Sequence, residues 1–215
     1  MSCTSHCCGS ESIFDEKEAQ KSYKKYKKKG PDKFTSKLLN ALYQQELNTL
    51  SLLDIGGGIG VLQHELIKKG IHKTTDVDAS QEYINVAKKI MNQNGSEKVM
   101  EFIYSDFNDC HKEVDQHDIV TLSRVVCCYP DAVSLINNST AKATQYYGLI
   151  YPRDGFIAEL VQKIMNVGLL LKKNPFRVFM HSEKMMDETI RSNGFEQIYY
   201  GSAFPWRIAL YKRVN

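Results

Sequence analysis

No stretch of this sequence is long and apolar enough to span a membrane as a helix. Runs such as Val167–Leu171 fall well short of the roughly 18 to 20 residues such a span needs. The first dozen residues also lack an apolar core, so no secretory signal is expected. Neither sign of charge dominates. Lys and Arg total 28 against 25 Asp and Glu, leaving a net +3, too mild to predict a nucleic-acid or membrane partner. The six cysteines do not space themselves as a disulfide framework: Cys3, Cys7 and Cys8 crowd one end, and Cys127 and Cys128 are adjacent. Cys3, His6, Cys7 and Cys8 offer soft ligands but no paired C-x-x-C units, so no metal site is expected. Repeats and linkers are absent too. A reduced, cytoplasmic protein, monomeric or homodimeric, is the expectation.

What is present is a chain of 215 residues, 42% hydrophobic, enough for one sizeable core. Phe14–Lys29 reads as a helix that begins acidic, ends in lysine and stops at Gly30 and Pro31, an order that suits the helix dipole. Asp32 is placed to cap a second helix running to about Leu47, with Phe34, Leu38, Leu39, Leu42 and Tyr43 at helical spacing. Strands are then predicted at Leu50–Ile55, Thr74–Asp78, Val99–Tyr104, Asp118–Val126 and Tyr147–Tyr151. Helical patterns lie between them at Val61–Gly70, Ser80–Asn94 and Pro130–Ala143. A further apolar helical stretch, Gly155–Arg177, precedes a helix at Ser182–Ser192 and two closing strands, Phe195–Tyr200 and Trp206–Lys212. Strands alternating with helices need crossover connections, which predicts an α/β fold: a doubly wound, mostly parallel, seven-stranded sheet with helices on both faces and an antiparallel C-terminal strand. Residues 1–48 are expected to cover the site, and 49–215 to form the main domain, with a lid-like insertion at about 155–180.

The strongest chemical signal is Asp54-Ile55-Gly56-Gly57-Gly58-Ile59-Gly60, at the end of one predicted strand and the start of one predicted helix. Glycines there let the backbone approach a ligand that a Cβ would push away. The dinucleotide pattern G-x-G-x-x-G is broken, because the third glycine falls at Gly60 and Val61 occupies its place. No G-x-x-x-x-G-K-[ST] occurs either, so the loop suits a nucleotide-like cofactor without a pyrophosphate.

In these residues the sequence resembles the class I S-adenosylmethionine-dependent methyltransferases, with their Rossmann-like fold, whose first motif is an acid followed by G-x-G-x-G. Asp54, Gly56, Gly58 and Gly60 match it. The resemblance implies S-adenosylmethionine as cofactor. It implies that Asp78, eighteen residues beyond Gly60, meets the ribose hydroxyls with Ala79 beside it. Asp106 and Phe107 would then meet the adenine, and Ser123 and Arg124 would line the cofactor. A narrower resemblance joins the chain to small bacterial methyltransferases labelled, by similarity, as like magnesium-protoporphyrin O-methyltransferase. It rests on Lys29-Gly30-Pro31, Gly60 with Gln63-His64-Glu65-Leu66, Arg124 through Asp131, and Tyr151-Pro152-Arg153-Asp154. It implies carboxylate methylation of a large flat substrate, with the apolar helix as a lid.

A sulfonium methyl is already activated, so the protein has mainly to exclude water and align a nucleophile. Tyr129, Tyr151 and His181 are the catalytic candidates, and Arg153 and Asp154 the substrate candidates. No Asn-Pro-Pro-aromatic motif follows the fourth strand, where Ser123 to Pro130 stand, and no Pro-Cys dipeptide marks a cytosine-C5 enzyme. A small or medium organic acceptor is therefore expected, with O-methylation as the finer reading. Alternatives are RNA, docked on Lys21–Lys29 with Tyr23 and Tyr26 interleaved, and a non-enzymatic cofactor-binding module. For that lysine run a solvated helix face is the simpler reading. The class resemblance, some of whose members close an N-terminal helix over the cofactor, implies that Tyr26 or Lys29 meets its carboxylate, and His64 reads as a packing histidine.

Overall fold

In the computed structural model, Gly9 and residues 13–214 are described. The N-terminal cysteines and His6 lie outside them. Two helices lead the chain, α1 (Glu16–Lys29) and α2 (Lys33–Tyr43). The Asp15 carboxylate caps α1 by accepting the Glu18 N–H at 2.9 Å. Gly30, at φ 69°, ends the helix and donates its N–H to Tyr26 O. Asp32 caps α2 by accepting the N–H groups of Phe34 and Thr35.

The alternation follows: β1 (Ser51–Ile55), α3 (Val61–Ile67), β2 (Lys73–Asp78), α4 (Gln81–Asn94), β3 (Met100–Tyr104), a short α5 (Phe107–Cys110), β4 (His117–Ser123), α6 (Ala132–Thr140) and β5 (Ala143–Pro152). After these come α7 (Phe156–Leu171), α8 (Glu183–Ser192), β6 (Phe195–Ala203) and β7 (Trp206–Arg213). The strands form a single seven-stranded sheet in the order β3-β2-β1-β4-β5-β7-β6. All neighbours are parallel except those of β7, which runs antiparallel to both β5 and β6.

Strand alternation sorts the core into two layers. Leu53 and Ile55 face one way, with Val120 and Leu122, onto Leu135, Ile136 and Ile190 of α6 and α8. Leu52 and Ile119 face the other way, onto Leu38 and Leu42 of α2 and Leu62 and Leu66 of α3. Ala19 of α1 packs separately with Val86 and Ile90 of α4. The chain order reverses between β1 and β4, so a crevice opens beyond their carboxyl ends.

Several boundaries differ from the sequence expectation for identifiable reasons. β4 stops at Ser123 instead of continuing to Val126, because Arg124 takes a left-handed φ of 66° and Val126–Cys128 close a 3₁₀ turn. α7 ends at Leu171 short of Arg177: Lys173 is left-handed at φ 55°, and Pro175 disfavours helix in the residue before it. The second helix stops at Tyr43. β5 starts at Ala143 and is longer than predicted, with Ala143 paired in parallel to His117 of β4 and Pro152 paired antiparallel to Trp206 of β7.

Candidate active site

The glycine loop crosses the carboxyl end of β1 with Gly56, Gly58 and Gly60 at φ 64°, 62° and 76°, a region that costs a side-chain-bearing residue about 1–2 kcal/mol. A Cβ on Gly56 would sit 2.5 Å from Val125 Cγ2. One on Gly57, whose φ is ordinary, would fall 2.7 Å from Asp76 Oδ1, 2.7 Å from Gln63 Nε2 and 2.8 Å from Asp54 Oδ2. The space under the loop is therefore already filled by polar groups. The loop amides are aimed at acids: Gly57 N–H donates to Asp76 Oδ1 at 3.1 Å and Gly58 N–H to Asp78 Oδ2 at 2.9 Å. Asp78 Oδ1 also accepts the Ser80 N–H at 2.7 Å.

Asp54 and Asp76 are direct partners across β1 and β2, and both are buried. Burial pushes Asp54 up to about 7, the nearby Asp78 charge adding to it while hydrogen bonds from Thr121 and Gln63 oppose it. The Thr121 hydroxyl donates to Asp54 Oδ1 at 2.6 Å. Burial, with the charges of Asp78 and Asp54, carries Asp76 well above the ordinary carboxylate range. Double ionisation of this pair is thus suppressed near neutral pH. Burial also raises Asp78, against the amides of Ser80 and Gly58. His64, at the other end of the loop, is buried and pushed down to about 4, chiefly by that burial, so it is a neutral packing group.

Above the loop lies a cavity of about 360 Å³, within the range of small-molecule sites. Asp54, Gly56, Gly58, Asp78 and Ala79 form its floor, and Asp106, Ser123, Arg124 and Tyr129 its far wall. Helices α1 and α2 roof it through Ser22, Lys25, Tyr26 and Thr35. Its end is closed by Phe14, whose ring meets Tyr83 and Phe176 edge to face at centroid distances of 6.0 and 5.9 Å. The Ser80 hydroxyl ties this corner down by donating to Phe14 O at 2.7 Å.

The predicted residues divide. Nine of them, Asp54, Gly56, Gly58, Asp78, Ala79, Asp106, Ser123, Arg124 and Tyr129, line the cavity together. Gly60 instead forms the left-handed start of α3, and Phe107 is buried in the core. Tyr151 is also buried, its hydroxyl pKa raised by that burial. It meets His181 around Val126, Cys127 and Met186, beside the cavity and not on it. His181 Nε2 lies 2.9 Å from the Tyr129 carbonyl. Arg153 is exposed, and the Asp154 carboxylate accepts the Glu183 N–H at the start of α8. Tyr26 lines the roof while donating to Glu65 Oε1 at 2.6 Å; Lys25, not Lys29, is the lysine at the cavity.

Two details went unforeseen. The Arg124 guanidinium pairs with Asp32 at 2.6 Å, with its centre 5.5 Å from the Phe34 ring centroid and 5.4 Å from that of Trp206. Burial works against the Asp32 charge, but Arg124 and the amides of Phe34 and Thr35 hold that carboxyl below its ordinary value. A residue expected beside the cofactor thereby also latches α2 to the end of β4. Tyr129 donates its hydroxyl to Asp106 Oδ1 at 3.0 Å, joining a predicted catalyst to a predicted adenine ligand. Neither pairing carries a sequence signal, since the partners are 92 and 23 positions apart.

Comparison with known proteins bears on the family and the fold. The family model described as a methyltransferase domain matches residues 47–192. No curated protein sequence matches the chain. Among solved structures, magnesium protoporphyrin IX methyltransferase from Synechocystis PCC 6803 with bound SAM superposes at a TM-score of 0.70, with 18% identity and 100% of each chain covered. The same enzyme with bound SAH gives 0.67 at 19% identity, over 83% of this chain and 80% of that one. An O-methyltransferase family protein from Burkholderia thailandensis also gives 0.67, at 11% identity, over 84% of this chain and 56% of that one. The family match spans most of the chain and contains the glycine loop and three of the acids at the strand ends: the chain belongs to the methyltransferase-domain family, as a class I S-adenosylmethionine-dependent methyltransferase.

Proposed function

We propose that this chain moves the methyl group of S-adenosylmethionine onto an oxygen of a small or medium organic acceptor. The observation that carries the reading is the roofed cavity of about 360 Å³ seated on the glycine loop, with a polar floor and an aromatic end. S-adenosylmethionine fits these surroundings: Gly56 and Gly58 leave the backbone bare, and a Cβ on Gly58 would come 3.3 Å from Tyr83 Cδ1. When bound, that group supplies a methyl already activated on a sulfonium.

The chain's own residues then bind, orient and exclude water. Asp78 is assigned to the ribose hydroxyls, with lone pairs left after accepting Gly58 and Ser80. Asp106 is assigned to the adenine amine, beside Ala79, with Phe107 supporting it from the core. Ser123 and Arg124 bound the methionine side, and Asp54 and Gly60 hold the loop that faces it. Tyr129 is the catalytic candidate at the cavity: its hydroxyl donates to Asp106, so a proton taken from an oxygen acceptor onto the Tyr129 oxygen would be balanced by passing the hydroxyl's own proton to the Asp106 carboxylate. His181, through the Tyr129 carbonyl, is a positioning residue, and Tyr151 is proposed to support the same wall. Arg153 and Asp154 are proposed to shape the acceptor entrance. The roof formed by residues before 49 is assigned to retention of the cofactor.

The RNA alternative loses its aromatic platform, because Tyr23 and Tyr26 turn inward and donate to Gln93 and Glu65. Calorimetry with S-adenosylmethionine and S-adenosylhomocysteine, with NAD as control, tests the cofactor. Micromolar binding of the sulfur ligands alone is expected. Release of S-adenosylhomocysteine across a panel of carboxylates, phenols and amines tests the acceptor; turnover confined to amines would overturn the oxygen assignment.

A further inference from the structure

Helix α7 is turned inside out relative to the other helices. No residue of α7 is buried: Phe156, Ile164 and Leu171 are 81%, 63% and 79% exposed, and Ile157, Leu160, Val161, Met165, Val167 and Leu170 are exposed as well. Its polar side is the one that faces the protein. Gln162 Nε2 and Asn166 Nδ2 donate to the Val178 carbonyl at 2.7 and 2.8 Å, and the Val178 N–H donates back to Asn166 Oδ1 at 2.8 Å. At 100° per residue, Phe156, Leu160, Leu171, Ile164, Ile157 and Val161 fall on one continuous arc away from Gln162 and Asn166. An apolar surface of this kind, on a helix anchored by its polar side, is built to meet something apolar.

The charges around it identify what. Lys163, Lys172 and Lys173 stand exposed on the helix and just past its end, with Glu159 the one acid within it. In a second copy of the same face these cations would outnumber the single acid able to meet them, whereas an anionic lipid surface would neutralise all of them and accept the apolar arc. The helix has 16 residues, about 24 Å long at 1.5 Å per residue, and no helix among the described residues is long and apolar enough to cross a membrane. It therefore suits lying in the interface, not spanning it. We propose that α7 is an interfacial helix that seats this chain on an anionic lipid surface. Val178, which α7 holds by its polar side, stands two residues from Phe176 of the cavity end, so α7 would lie between that end of the cavity and the lipid surface. The inference is independent of the acceptor assigned above.

The test is cosedimentation of the full chain with vesicles of equal parts phosphatidylglycerol and phosphatidylcholine, against vesicles of phosphatidylcholine alone. The wild type is expected to bind the anionic vesicles at least roughly tenfold more tightly, and to be released by salt. Ile157→Asp with Ile164→Asp should abolish the binding. Lys163→Glu with Lys172→Glu and Lys173→Glu should weaken it at least roughly tenfold. Both variants should keep the wild-type thermal melting, since no α7 residue is buried. Three results overturn the proposal: no cosedimentation of the wild type, unchanged binding by the double-Asp variant, or a concentration-dependent dimer in sedimentation velocity that the double-Asp variant dissolves. A variant that melts early leaves the Lys-to-Glu variant and the salt dependence to decide.

Discussion

The side built around the glycine loop and the side assigned above to the acceptor differ in how far their groups are committed to one another. Around the glycine loop, the Gly57 and Gly58 amides and the Thr121 hydroxyl donate to three carboxylates within a largely buried network, and the space under Gly57 is already occupied. On the other side, the ends of β4 and β5 lead to exposed Arg153, to Asp154 spent on capping α8, and to a helix with no buried residue. Groups committed to one another hold a rigid cradle, while a region with few mutual constraints can be altered at less cost to the rest of the structure.

Perturbing the two sides should therefore give effects of different size. Gly56→Ala should have the largest. It adds the left-handed penalty of about 1–2 kcal/mol to an overpacking cost of about 1–3 kcal/mol against Val125. Melting is expected to fall by about 4–20 °C, at about 2–4 °C per kcal/mol for a chain of this length, and S-adenosylmethionine binding to be lost. Gly56→Ala with Val125→Ala should recover the overpacking part only; full recovery would mean that the backbone carries no strain there. Asp78→Ala comes next. Losing hydrogen bonds to a charged group costs about 1.5–3 kcal/mol, or about ten- to a hundredfold in calorimetric affinity. An unchanged dissociation constant would remove Asp78 from the site.

The buried acids give a pH signature of definite sign. Asp54 is raised from 3.8 to about 7, so the folded protein holds its proton more tightly than the unfolded chain. This group is then most favourable to stability below about 4, loses that contribution as pH rises toward 7, and changes nothing further above it. Asp32 and Asp118, both lowered, contribute the opposite slope, present above the ordinary carboxylate range and lost as pH falls. Asp54→Asn should flatten the decline of denaturant-derived stability between about pH 4 and 7. A decline unchanged from the wild type would show that Asp54 itself takes up no extra proton on folding.

The latch should give a smaller effect. The Arg124–Asp32 pair is partly exposed at 33% and 26%, so a double-mutant cycle using Arg124→Ala and Asp32→Ala should give a coupling of at most about 1 kcal/mol. A coupling near zero would mean that Phe34 and Trp206 alone hold the guanidinium. The smallest effect is expected on the acceptor side: Tyr151→Phe should leave kcat/KM within about threefold, whereas Tyr129→Phe should lower it by about a hundredfold, the typical worth of a positioned proton acceptor. The reverse ranking would move the chemistry off the cavity and onto the cluster of Tyr151 and His181.

Much of this was legible in the sequence because the underlying rules are local. Period-two and period-3.6 patterns place the elements, Asp32 and Ser80 announce helix starts, and glycines with an acid between a strand and a helix announce the cofactor loop. The acids recur at the ends of β1 and β2 and just past β3 because parallel strands bring their carboxyl ends to one edge. Chain order thus determined the sheet, the loop and the cofactor class. The tertiary structure alone decided which candidates share a cavity, since that depends on where β4 stops and on the left-handed turn at Arg124, a choice made by packing and not by propensity. It alone turned the polar side of α7 inward onto Val178, because periodicity shows that a helix has two faces and only the neighbours decide which one is buried.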